Sequence, residues 1–168
     1  MPMRWLTRGA LIGDLSDEDE DKRWRQWSQA RRSIRPRLHS GAELLLDVNV
    51  HDGVIDSLHQ IDTDVVELRA LIGDLQVGYE WLLARYHGAS LKILEPGFDT
   101  GTGTAFEMLR DELTAHNTSF VHSVLTWPRG AFDIEFTAVD VTRTPGSDDE
   151  RAGLFARIQM PSHEAERP

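Results

Sequence analysis

"VVELRALIGDLQVGYEWLLARYHG", residues 65–88, decides the fold. Its first half alternates, with Val66, Leu68, Ala70 and Ile72 on one side and Glu67 and Arg69 between them, the period-two pattern of a half-buried strand. Its second half carries the aromatic residues that suit a pleated surface, Tyr79 and Trp81 on one face and Tyr86 on the other. "GDLQVG", residues 73–78, places a glycine at each end of the connection. The stretch therefore predicts two paired strands joined by a short loop.

Downstream, "FVHSVLTW" (120–127) and "AFDIEFTAVDV" (131–141) flank Pro128-Arg129-Gly130 and predict a hairpin with Phe132, Ile134, Phe136 and Ala138 facing inward. Between the two pairs lies "EPGFDTGTGTAFEMLRDELTAHN", residues 95–117. Thr104 and Glu107 stand at capping-box spacing, and Phe106, Leu109 and Leu113 at helical spacing, so a helix is expected over 105–116. Upstream, Ser16 and Asp19 form another capping box ahead of Trp24, Trp27, Arg31 and Ile34, which predicts a helix over 17–34 ended by Pro36. Its acids precede its bases, the order favoured by the helix dipole. "GAELLLDVNV", residues 41–50, is ambiguous in type. The expected fold is thus α+β: a single domain over 1–144, with an antiparallel sheet of four to six strands (54–142) packed by two or three helices. Residues 145–168 read as a polar, flexible tail in which "LFARIQM" could add an edge strand.

At 168 residues the chain can bury roughly 70% of its unfolded surface. With no cysteine it can hold neither disulfides nor thiolate metal sites, which suits a reducing, cytoplasmic setting. The apolar stretch Gly9–Gly13 is too short for a signal-peptide core, and no run approaches the roughly 20 apolar residues that span a bilayer. A formal charge of −10, from 28 acidic against 18 basic residues, argues against nucleic acid and anionic membranes as partners and toward a basic protein.

"VNVHDGVIDSLHQID", residues 48–62, holds the densest set of potential ligands: His51, Asp52, Asp56 and His59, with His122 and Asp74 able to join from neighbouring strands. On a helix, Asp52, Asp56 and His59 would share a face suited to a metal. On a strand, His51, Ile55 and His59 take one side and Asp52, Val54, Asp56 and Leu58 the other, so the polar groups diverge. Gly53, Val54 and Ile55 favour the strand. Asp99-Thr100-Gly101-Thr102 has the local form of an aspartic-protease loop but no second copy in the chain. Gly97, Gly101 and Gly103 fit no phosphate-loop spacing, so no cofactor is expected.

The segments "VHDGVID" (50–56), "LIGDLQVGYEWLLARYHGASL" (71–91) and "FVHSVLTWPRGAFDIEFTAVDV" (120–141) together resemble a loose group of small bacterial domains of unknown function, some encoded beside toxins as immunity proteins. The matching positions are His51-Asp52, Gly73-Asp74 and Gly78-Tyr79. The resemblance implies a mixed α+β domain with no established catalytic residues. The leading expectation is a non-enzymatic, cytosolic immunity- or antitoxin-like module that neutralises a basic partner, such as a toxin. Asp17, Glu18, Asp19, Glu20 and Asp21 would steer that partner, and Tyr79 and Trp81 would anchor it. The alternatives are a metal-dependent hydrolase using His51, Asp52, Asp56, His59 and His122, and a scaffold subunit.

Overall fold

The computed structural model describes residues 4, 5, 7–11, 16–96, 98–101 and 103–159. After a short helix α1 (Arg8–Leu11), Ser16 caps α2 (Asp17–Ile34) by accepting from the Asp19 amide at 3.3 Å. Pro36 lies in a 3-10 turn, Arg35–Arg37, that closes this helix, and α3 (Ala42–Leu45) follows. The strands are β1 (Gly53–Asp62), β2 (Val65–Asp74), β3 (Gly78–His87), β4 (Ser90–Glu95), β5 (Phe106–His116), β6 (Ser119–Trp127), β7 (Ala131–Phe136) and β8 (Ala138–Pro145). A last helix, α4, spans Asp148–Phe155. The α+β class and the antiparallel sheet are as expected, but the sheet has eight strands rather than four to six.

The ladder runs β4-β7-β6-β5-β1-β2-β3-β8. Its two outermost strands are extensions of strands within it: β4 continues β3 through Gly88-Ala89, and β8 continues β7 through Thr137. The bent strand β3–β4 pairs along its length with the bent strand β7–β8, so the sheet closes into a barrel. At the bend the Thr137 amide donates to the His87 carbonyl at 3.0 Å. Gly88 has φ +55°, and a Cβ there would sit 2.5 Å from Thr137 Oγ1. The bend also shifts the alternation, so that Val139 rather than Ala138 follows Phe132, Ile134 and Phe136 into the core.

Tyr86, Phe132, Phe136, Leu68, Leu82 and Met108 fill the interior, and α3 contributes Ala42 and Leu45 to it. Two patches cover the outside. Trp24 and Trp27 of α2 pack on Leu109, Leu125 and Ala131, while Leu154 and Ile158 cover Val54, Leu71 and Ala105.

Three expectations need correction. Residues 105–116 form β5, not a helix. A bulge between Met108 and Arg110 resets the strand's alternation, so Phe106 and Met108 and then Asp111 and Leu113 face inward. The outward bulge residue Leu109 completes a spacing that imitates a helix. A second bulge, between Ile55 and Ser57, puts Ile55 and Leu58 together in the interior and Val54 outside. Residues 148–155 of the supposed tail are helical, capped by Ser147, and Ile158 bridges in parallel to Ala105. Leu154 supplies the apolar anchor that docks this segment. The remainder of that tail, 160–168, together with Gly97 and Thr102 of the glycine loop, lies outside the described residues.

Candidate functional site

The potential metal ligands do not converge. Asp56 is engaged by Arg69 at 2.8 Å and Arg157 at 2.6 Å, and His59 is exposed on β1. His122 points into the barrel, its Nδ1 2.8 Å from the Tyr86 hydroxyl and its Nε2 3.2 Å from an Asp111 carboxylate oxygen. Arg31 of α2 approaches that carboxylate at 3.9 Å, and the Trp27 indole donates to the Asp111 carbonyl at 3.2 Å. This row is buried and hydrogen-bonded, so it serves to fix α2 on the barrel. Burial, seconded by the Asp111 charge, holds the Tyr86 phenol far above its ordinary value. Among the described residues, no group of three or more His, Asp or Glu has a geometry that could hold a metal. Thr100 of the protease-like loop exchanges hydrogen bonds with the Leu58 backbone, both at 3.2 Å, and Asp99 accepts from the Gly101 amide, so these residues shape the loop.

His51 and Asp52 stand together on the turn leading into β1, where Asp52 adopts φ +62°, a left-handed conformation unusual outside glycine. His51 Nδ1 faces Asp52 Oδ1 at 3.2 Å, the Leu109 carbonyl at 3.1 Å and the Arg110 guanidinium. Glu107, on β5, lies beside the Asp52 side chain. Burial first, and then the Asp52 carboxylate, raise its pKa above the usual range, with Arg151 opposing. Arg151, on α4, donates to the Asp52 carbonyl at 2.7 Å. Partial burial lowers the Arg110 pKa, against the pull of Asp52, Asp111 and Glu20. Glu20 on α2, Arg110 on β5, Asp52 on the turn and Arg151 on α4 thus form an electrostatic succession across one end of the barrel.

Beside it opens a polar groove of about 350 Å³, lined by Asp47, His51, Asp52, Asp74, Glu80 and Arg143 among others. Asp74 therefore joins His51 and Asp52, whereas His122 does not. Asp74 also builds the β2–β3 turn, its carboxylate accepting from the Gln76 amide at 2.7 Å and the Val77 amide at 3.0 Å. Asp17 to Asp21 are all exposed on the first turns of α2, and none is ion-paired with another described residue.

The expected anchors lie differently. Trp81 is partly covered by α4, donates to Glu150 at 3.0 Å and carries the Arg69 guanidinium 3.9 Å from its ring centroid. Tyr79 instead lines an apolar groove of about 590 Å³ with Leu75, Ala152, Phe155 and Ala156. From sequence Glu107 reads only as a capping residue, and Arg110, Arg151, Leu75 and Phe155 carry no functional mark. Their neighbours lie tens of residues away along the chain, and only "GDLQVG", with a leucine and a valine in a turn, gave a local sign of exposed apolar groups. Compared with known proteins, the chain matches no family model, no curated protein and no solved structure. No described helix is long and apolar enough to cross a membrane.

Proposed function

We propose that the chain is a non-enzymatic protein-binding module of the immunity or antitoxin kind, and that it neutralises a basic partner through the acidic end of its barrel. The observation that carries this reading is the meeting of acids from separate segments. Asp47, Asp52, Asp74 and Glu80 border one groove, where Asp47 is paired with Arg35 and Glu80 with Arg143, and Glu20 on α2 acts on the neighbouring Arg110. The exposed run Asp17–Asp21 extends that negative field outward, and the overall charge of −10 has the same sign. Such a field raises the rate of encounter with a cationic surface and disfavours anionic ones. Of the six potential metal ligands named from sequence, His51, Asp52 and Asp74 border one groove and the others stand apart, and no group of three or more among the described residues could hold a metal, so the hydrolase alternative has no assembled centre to rest on.

The test is co-expression and binding with the product of the adjacent gene. Immunity predicts rescue of growth and an association rate that falls as salt rises. Replacing Asp17, Glu18, Asp19 and Glu20 with Ser or Gln should slow association while leaving dissociation and the circular dichroism spectrum unchanged. A complex whose association ignores both salt and these substitutions would sink the proposal.

A further inference from the structure

We infer that the groove between the β2–β3 turn and α4 is an anchor pocket for a large apolar side chain carried on a Lys- or Arg-rich segment of a partner protein. The inference rests on the reading above for the sign of the partner's charge, and on independent observations for the pocket.

The first observation is apolar exposure. Leu75 and Val77 are 79% and 81% exposed on the turn, and Phe155 is 44% exposed on α4. Leu75, Phe155 and the ring of Tyr79 border the groove, with Ala152 and Ala156 leaving room between them. The groove, about 590 Å³ and broadly open to solvent, is wide enough for a phenylalanine, leucine or tryptophan side chain to lie along it.

The second is preorganisation. The two Asp74 hydrogen bonds fix the turn, and Gly73, at φ +100°, packs so closely that a Cβ would lie 2.1 Å from the Gly78 carbonyl oxygen. On the far wall the Gly146 amide donates to the Tyr79 carbonyl at 2.9 Å, and Leu154 pins α4 to the barrel. Walls already ordered lose little entropy when a ligand enters, which concentrates binding energy at the anchor.

The third is the charge of the rim. Asp148 lines the groove, with Asp149 beside it in the first turn of α4, both exposed. Arg151, the cation among the lining residues, is turned to the protein itself. It donates to the Asp52 carbonyl, and its guanidinium lies 5.5 Å from the Tyr79 ring centroid and 5.6 Å from that of Phe155. With Arg151 engaged by the Asp52 carbonyl and the two rings, the exposed carboxylates of Asp148 and Asp149 are left to meet Lys or Arg flanking an apolar side chain. A second copy of the chain would instead bring Asp148 and Asp149 against their own kind, and like charges brought together at an interface are penalised.

The experiment uses the full chain with methyl-labelled leucine and valine and three peptide probes: Lys-Lys-Phe-Leu-Phe-Lys-Lys, the same core flanked by Glu, and a Ser-Gly core flanked by Lys. The Lys-flanked apolar peptide should shift the Leu75 and Leu154 methyl resonances saturably, at least tenfold more tightly than either control, and more weakly at high salt. Ala152→Trp, which fills the groove from an exposed position, should abolish those shifts, as should Leu75→Ser, with unchanged circular dichroism in both. If no peptide shifts these methyls while the adjacent gene's product still associates in a salt-dependent manner, the pocket is overturned and the functional reading stands. Equal affinity for the Glu-flanked peptide overturns the basic character assigned to the occupant of this groove. Self-association through the same methyls without peptide makes the occupant a second copy and overturns the assignment.

Discussion

Leu154→Ala tests whether α4 belongs to the folded domain. Leu154 is 5% exposed and lies over Val54 and Leu71, both fully buried on the outer face of β1 and β2, with Ile158 alongside. Truncating a buried leucine removes its transfer free energy and leaves a cavity, at a cost of 2–5 kcal/mol in well-packed sites. A helix lying on the outside of a sheet can settle inward, which favours the lower part of that range, about 2–3 kcal/mol. For a domain of this size each kcal/mol lowers the melting temperature by roughly 2–4 °C, so a fall of about 4–12 °C is expected. Scanning calorimetry gives the midpoint, and tryptophan fluorescence should change as well because Glu150, on the same helix, holds the Trp81 indole. Deleting the chain from Gly146 onward should cost more, since it uncovers Val54 and Leu71 together. A midpoint indistinguishable from the parent in both variants would refute the docking of α4 and restore the flexible tail expected from its composition.

Two further outcomes concern the half-buried Glu107 and the fully buried Tyr86. Glu107 is held above its ordinary value, so its contribution to stability is complete below the free glutamate pKa of about 4.3 and is lost as pH rises through the raised folded value. Glu107→Gln should therefore flatten that part of the stability–pH curve in urea titrations across a pH series, and an unchanged slope would refute the assignment. The chain has two tyrosines, so Tyr79→Phe leaves Tyr86 as the sole phenol. The folded variant should give no tyrosinate absorbance near pH 10, where a free phenol is about half ionised, and the signal should appear only with unfolding.

The parts of the fold legible in sequence were those whose alternation is uninterrupted. β2 and β3 pair residue for residue from Val65–His87 to Asp74–Gly78, and the inward positions Val66, Leu68, Ala70 and Ile72 are the ones that their spacing marks. β5 was misread because one bulge residue, Leu109, moves the apolar positions from a spacing of two to one of three, in a segment whose Glu, Met, Leu, Arg and Ala also favour helices. The short strand β4, with Lys92 and Glu95 among six residues, has too little alternation to stand out and is held by pairing with β7. At the site, His51, Asp52 and Asp74 were found because turn chemistry is local. Arg151 and Phe155 were missed because their contacts with Asp52 and Tyr79 exist only once α4 has crossed the barrel.

Closure of the ladder has a consequence for the order of events on the ribosome. Glu80 meets Pro145 and Glu95 meets Ala131, so the seam is sealed by the last strands of the sheet to be synthesised. Until residues 131–145 emerge, β3 and β6 each present a row of unpaired amides and carbonyls, the kind of template on which nascent chains cross-pair. Glu80, Arg85 and His87 along β3, and His122 in the middle of β6, set polar side chains beside those rows, and such groups disfavour cross-pairing at an open edge.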